Sequence, residues 1–174
     1  MGISERVDGM VVRATSPNGS ITATVRGMDA IEVSFAPGFY QRASEQEMET
    51  QLAQVARLLW ANRMREYQAI LDDESGGGLI VDAPGADRLD DQFYEQRENL
   101  VAEGRSADGR VRVTVRGMRD WSVHISPGAI DQMREQEMLS AAVQAAEALI
   151  RDQMVKLNEL KFAIYRDEVD VDLR

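Results

Sequence analysis

Two periodicities alternate along this 174-residue chain. Period two comes first. Ile21-Thr22-Ala23-Thr24-Val25 sets apolar side chains on one face and threonines on the other, the pattern of a half-buried strand. The mixed stretch Met10 to Ser16 before it reads as an edge strand. After Gly27, the residues Ile31, Val33 and Phe35 alternate with Glu32 and Ser34, which predicts a third strand with one apolar face. Pro37-Gly38 ends that strand, because proline donates nothing to a ladder and the pair favours a turn. A helical period then takes over. Met48, Leu52, Val55 and Leu59 form one stripe, and Trp60, Met64, Tyr67 and Leu71 continue on an adjacent face. Ser44, with Glu47 three residues on, supplies the capping box that starts this helix.

The whole pattern is then written a second time. Val25-Arg26-Gly27-Met28 returns as Val115-Arg116-Gly117-Met118, an offset of 90 residues. The same offset joins Gly19 to Gly109, Thr24 to Thr114, Val33 to Val123 and Pro37-Gly38 to Pro127-Gly128. Glu45-Gln46-Glu47-Met48 returns as Glu135-Gln136-Glu137-Met138, and Gln54, Ala56, Leu59 and Met64 return as Gln144, Ala146, Leu149 and Met154. A match this long without a gap is a tandem duplication. Asn18-Gly19 and Asp108-Gly109 stand at equivalent places, and both pairs suit a two-residue type I′ hairpin. In the second copy Trp121, Val123 and Ile125 face away from Ser122 and His124. Its helix is expected to carry Met138, Ala142, Ala145 and Leu149, with Ile150, Met154 and Leu157 alongside. Arg134 replaces the capping serine, and the extra alanines predict a neighbouring element at closer range.

Between the copies, Ser75-Gly76-Gly77-Gly78 and Ala83-Pro84-Gly85 are linker chemistry. Asp87 to Gln96 reads as a short amphipathic helix bearing Leu89, Phe93 and Tyr94, with nothing comparable before the first copy. The expected organisation is a first repeat over 1–72 without a leading helix and an acidic linker over 73–86. A second repeat with a short leading helix covers 87–165, and a charged tail 166–174. The fold class is α+β: two β-meander–long-helix repeats forming a pseudo-dimer within one chain. One repeat holds too few elements to bury its own apolar side chains.

Composition narrows the function classes. Cysteine is absent and there is a single histidine, which removes disulfides, thiolate chemistry and most zinc sites and hydrolytic triads. No apolar run approaches the ~20 residues that span a bilayer. Met1 to Arg6 shows no secretory h-region, so a cytoplasmic location is expected. The net charge of −10 is unevenly placed. Asp72 to Glu98 holds nine acids against two arginines, and the two repeats are close to neutral. Whole-chain acidity therefore says little about what either repeat binds.

The meander with its Asn-Gly or Asp-Gly hairpin, the Pro-Gly stop and the long helix resembles the YbaB/EbfC family of nucleoid-associated proteins. The residues that carry the likeness are Gly109 to Gly117, Val123 to Ile130, and the helix from Glu135. It covers about residues 87–162 in the second copy and 10–72 in the first. The resemblance implies helix–sheet–helix units that dimerise and bind DNA with little sequence preference, here with both halves in one chain. Relatives of this unit also occur beside actinobacterial type VII secretion systems, where the implied role is that of an accessory or chaperone-like factor.

Enzyme chemistry finds little support in the residues. His124 falls on the polar face of a strand beside Ser122, where a surface or interface role outweighs that of a general base. Ser75-Gly76-Gly77-Gly78 lacks the Gly-Lys-Ser/Thr of a phosphate-cradling loop. Asp72-Asp73-Glu74 and Asp87 with Asp90-Asp91 lack the ligand order of a calcium loop, and no metal or cofactor is expected. One feature rises above this background. Arg105, Arg110, Arg112, Arg116 and Arg119 crowd the second meander, and Arg112, Thr114 and Arg116 share a face. They are the candidate nucleic-acid-binding residues. The competing reading pairs them with the acidic connector or with a protein partner, since only one copy is so equipped and duplex affinity needs several neutralised phosphates.

Overall fold

The computed structural model describes residues 2–74, 76 and 88–171, with side chains described as far as Arg166. Ser75 and residues 77–87, most of the expected linker, and residues 172–174 of the tail lie outside the described residues. The first copy runs α1 (Ile3–Asp8), β1 (Val11–Thr15), β2 (Ile21–Arg26), β3 (Ala30–Phe35), α2 (Phe39–Arg42) and α3 (Glu45–Glu74). The second runs α4 (Arg88–Glu98), β4 (Val101–Arg105), β5 (Val111–Arg116), β6 (Asp120–Ile125), α5 (Ala129–Gln132) and α6 (Glu135–Val171). From β1 and β4 onward, every element of the second copy begins 90 residues after its counterpart. The class is mixed α+β, with two three-stranded antiparallel sheets each followed by a long helix.

Some boundaries differ from the sequence reading. A short leading helix, α1, does precede the first copy, and it ends at Asp8 as α4 ends at Glu98. Arg6 ties α1 to the end of α3 through Asp73 at 2.7 Å and Glu74 at 3.1 Å, which carries α3 two residues past the expected limit. The helix α6 likewise continues to Val171, into the expected tail. The two Pro-Gly stops are type II turns. Phe39 N donates to Ala36 O and Ala129 N to Ser126 O, with Gly38 and Gly128 at φ +78° and +82°.

The first hairpin of each meander is not type I′. Neither Asn18 nor Asp108 has positive φ, and the left-handed residue is the glycine that follows. Gly19 N donates to Ser16 O, so Pro17 and Asn18 form the centre of a type I turn closed by Gly19. Side chains select this turn. Asn18 Oδ1 accepts from Ser16 Oγ at 3.1 Å and Ser20 N at 3.0 Å, and Asp108 Oδ1 accepts from Ser106 Oγ at 2.6 Å and Arg110 N at 3.0 Å. Two consecutive positive φ values do occur one turn later, at Gly117 and Met118.

Burial follows the period-two pattern, with β1 and β2 burying alternate residues. The two sheets share no strand ladder. They are joined by helices: α3 packs on β1 and β2 of its own sheet and on β6 of the other, and α6 packs on β4, β5 and β3. A shared main core results, with a smaller cluster of Met10, Val12, Val25 and Ile70 beside it in the first copy. Ile21, Met48, Val111, Val115, Ile125, Met138 and Leu149 are the main core's largest fully buried members, drawn from both copies. Polar groups cross the same seam. Tyr40 Oη donates to Ile130 O at 3.0 Å and Met133 O at 2.5 Å, and Gly128 N donates to Glu45 Oε1. Burial, and then the nearby Glu137, Asp131 and Glu135, raise the Tyr40 pKa and keep it a donor.

The long helices also cover the edges of β1 and β4. Asn62 Nδ2 donates to Arg13 O at 2.9 Å. At the equivalent place Asp152 Oδ2 accepts from Glu103 N at 2.8 Å, and Lys156 donates to Val101 O. An edge whose free groups are taken by side chains no longer templates another strand. The alanines of α6 have the predicted consequence: a Cβ on Gly104 would lie 2.0 Å from Ala145 O and 2.3 Å from Leu149 N. In the first copy Ala14 stands there instead. Ser44 Oγ accepts from Glu47 N and caps α3, while Arg134 pairs with Glu137 in the first turn of α6. Met154 departs from the expected stripe and is exposed. The buried face of α6 follows Leu149, Gln153 and Ile164, because α4 packs onto its later turns.

Two outcomes are expected from this packing. Gly104→Ala should lower the urea midpoint by an amount worth about 2 kcal/mol or more, because the added carbon meets helix backbone that cannot give way. Asp108→Asn tests the turn. The bond from Ser106 and then the Arg110 backbone N–H hold the Asp108 carboxyl below its ordinary value. A depressed folded pKa contributes stability above the unfolded value and loses it as pH falls through the folded one. The variant, which copies Asn18, should keep its neutral-pH midpoint and show a shallower loss below about pH 4.

Candidate functional site

Strand register turns the second sheet's outer face into a grid. Arg105 lies across from Arg112, and Arg112 from His124. Thr114 sits between Glu103 and Ser122, and Arg116 between Val101 and Asp120. The inner face of these strands is the core, so the grid is the side left to solvent, with Arg105, Arg112, Arg116 and His124 exposed.

Three of the five arginines already have carboxylate partners. Arg105 Nε lies 2.6 Å from Glu103 Oε1, Arg116 Nη2 lies 3.2 Å from Asp120 Oδ2, and Arg110 Nε lies 3.9 Å from Asp108 Oδ2. Arg112 and Arg119 form no ion pair among the described residues. These partners belong to the meander itself, neither to the acidic connector nor to a partner protein, the two sources the competing reading offered. Glu103 stands two residues before Arg105 on β4, so the period of two along that strand puts the pair on one face. Asp120 was hidden by the three-residue turn that returns β6 to Arg116.

The arginines are also strung out. Arg112, Arg116 and Arg105 share the grid, Arg110 stands at the hairpin end beside Asp108, and Arg119 sits in the turn at the opposite end. Arg110 and Arg116 are six positions apart along the chain, a span of roughly 20 Å at ~3.3 Å per residue. Charges so arranged make a stripe interrupted by carboxylates, not a focused anion pocket. The first sheet's outer face carries Arg13, Thr24 and Glu32 in one row and Arg26 beside Val11 and Ala30 in the next. Neither face has a strong excess of positive charge.

His124 has a neighbour that sequence spacing did not reveal. Glu49 of α3 brings Oε2 to 3.7 Å from Nδ1, a pair that forms only when the imidazole is protonated. Four of the residues weighed as calcium ligands are otherwise engaged: Asp73 and Glu74 accept from Arg6, Asp72 accepts from Gln68, and Asp90 accepts from Tyr165. Asp87 lies outside the described residues. A shallow cleft of about 380 Å³ is lined by Asp108, Gln136, Glu137, Ser140 and Gln144 among others, and no arginine lines it. No helix among the described residues is long and apolar enough to cross a membrane.

Exposed ion pairs contribute little to folding. Arg116 and Asp120 are 60% and 63% exposed. Arg112→Gln and Arg116→Gln, singly or together, should therefore leave the thermal and urea midpoints within measurement scatter. A clear destabilisation would assign these arginines a structural role. No family model, curated protein or solved structure matches the chain.

Proposed function

We propose that this chain is a non-catalytic binding protein, an intrachain pseudo-dimer of the YbaB/EbfC-like unit, whose outer sheet faces meet a protein partner. The observation that carries this reading is the alternation of charge on the second sheet. Arg105, Arg110 and Arg116 stand beside Glu103, Asp108 and Asp120, so a phosphate backbone laid along the stripe would meet a carboxylate beside three of its five guanidinium groups. Duplex binding draws its affinity from several phosphate neutralisations made together. A protein surface with its own mixed charges suits such a grid better, exchanging partners across the rim of an interface. The role this favours is that of an accessory or chaperone-like factor in the cytoplasm.

DNA is the second reading. It is favoured by Arg112 and Arg119, exposed and without ion pairs among the described residues. The two readings separate in one titration. Fluorescence anisotropy of a labelled duplex at low salt should show no saturable binding in the micromolar range, where non-specific DNA binders respond. Binding whose log–log salt slope flattens by about two units in the Arg112→Gln/Arg116→Gln variant would establish DNA as the ligand instead.

A further inference from the structure

Apolar side chains wall the seam between the copies, and the sealed donors there, Arg63 Nε and Trp121 Nε1, are closed to any incoming group. The apolar surface that folding leaves unexplained lies on the outer side of α6. Val155 is 54% exposed and Phe162 73%, the most of any large hydrophobic side chain among the described residues. They stand seven residues apart, about two turns of helix, and so share one face. Ala148 continues the row seven residues earlier, and Arg151 and Glu159 lie four residues to either side of Val155. Ala145, Leu149, Gln153 and Ile164 mark the buried side of the helix, and the row is turned away from it.

The duplication supplies a control for this face. At the equivalent positions of α3, Arg65 and Asp72 stand in place of Val155 and Phe162, and both are exposed. The same place in the same fold is therefore satisfied by charged side chains, so the core does not call for the apolar ones. Charge and size along the row name what does. Set antiparallel to a second copy of itself about Val155, the row is self-complementary. Val155 meets Val155, Arg151 meets Glu159 at two symmetric contacts, and the large Phe162 covers the small Ala148 at each end. Neither Arg151 nor Glu159 forms an ion pair within the chain among the described residues. A parallel alignment would instead set like charges against each other, which is unfavourable.

We infer that two copies of this chain associate reversibly through the outer faces of their α6 helices, packed antiparallel about Val155. Burial of Phe162 and Val155 supplies the affinity. The charge pairs fix register and direction, since exposed ion pairs add little strength. From Ala148 to Phe162 the row spans about 21 Å at ~1.5 Å per residue, short for a permanent interface, so the dimer is weak and concentration-dependent. This surface is separate from the sheet faces, and its occupation is independent of the ligand titration above.

Sedimentation equilibrium of the full chain, from micromolar to near-millimolar concentration, tests this. A monomer–dimer equilibrium is expected. Phe162→Asp, which copies Asp72, should weaken association by about tenfold or more and leave the thermal midpoint unchanged, because the side chain is exposed. Arg151→Glu or Glu159→Arg alone should weaken it by about tenfold, each change acting at two contacts, and the two together should restore it. A chain monomeric throughout the range would overturn the inference and leave the row to a different protein. A dimer that ignores Phe162→Asp would overturn it too, as would charge reversals with no effect alone or no recovery together.

Discussion

The rest of this structure depends on the packing of each long helix against both copies at once. A three-stranded sheet with one apolar face must bury that face, and one helix is too narrow to cover it. In this chain α3 covers β1 and β2 and then meets β6, while α6 covers β4 and β5 and meets β3. Neither sheet therefore completes its core without the other copy. Ile21, Met48, Val111 and Met138 are buried in the same cluster for that reason. The Tyr40 and Glu45 side chains reach across the seam to backbone of the second copy and add direction to contacts that are otherwise non-directional.

Duplication within one chain relaxes a constraint that a symmetric dimer would impose, because equivalent positions are free to diverge. Several have done so where they meet or where they do the same work. Gly104 lets β4 approach the backbone of α6 at a distance closed to Ala14 in the first copy. Asn62 and Asp152 both cover an edge strand, one by donating and the other by accepting. Burial alone would raise the Asp152 pKa, but the bonds from Lys156 and Glu103 N outweigh it and the carboxyl is held low. Arg63 and Gln153 are both buried, with a charge on one side only. The seam has become chemically asymmetric while the element order stayed the same.

The outer faces follow a different logic. Their side chains are not needed by the core, so exposure and pairing decide their character. On the second sheet Glu103 beside Arg105 along β4, Asp108 beside Arg110 in the hairpin and Asp120 across from Arg116 moderate a stripe of positive charge that a linear count of arginines overstates. A face of alternating charge recognises pattern more than total charge.

Much of the architecture was legible before any coordinates. Period-two alternation at Ile21 to Val25 and at Val111 to Val115, the Pro-Gly stops, and the stripe beginning at Met48 each encode local structure through steric preference and burial. The offset of 90 residues then doubled every local conclusion. The first hairpins were misread because Asn-Gly and Asp-Gly satisfy more than one turn type, and the choice rests on hydrogen bonds to Ser16, Ser20 and Ser106. The candidate arginines lie along the second meander; Glu103 pairs with Arg105 through the period of β4, whereas Asp120 reaches Arg116 only through strand register. Glu49 beside His124 and the sealed donors of Arg63 and Trp121 are products of packing between elements far apart in the chain. Sequence by itself determined what forms locally, since backbone and side-chain preferences act over a few residues. Only the tertiary structure decided which charges meet and which donors are left without an acceptor, because those are properties of distances that no linear pattern carries.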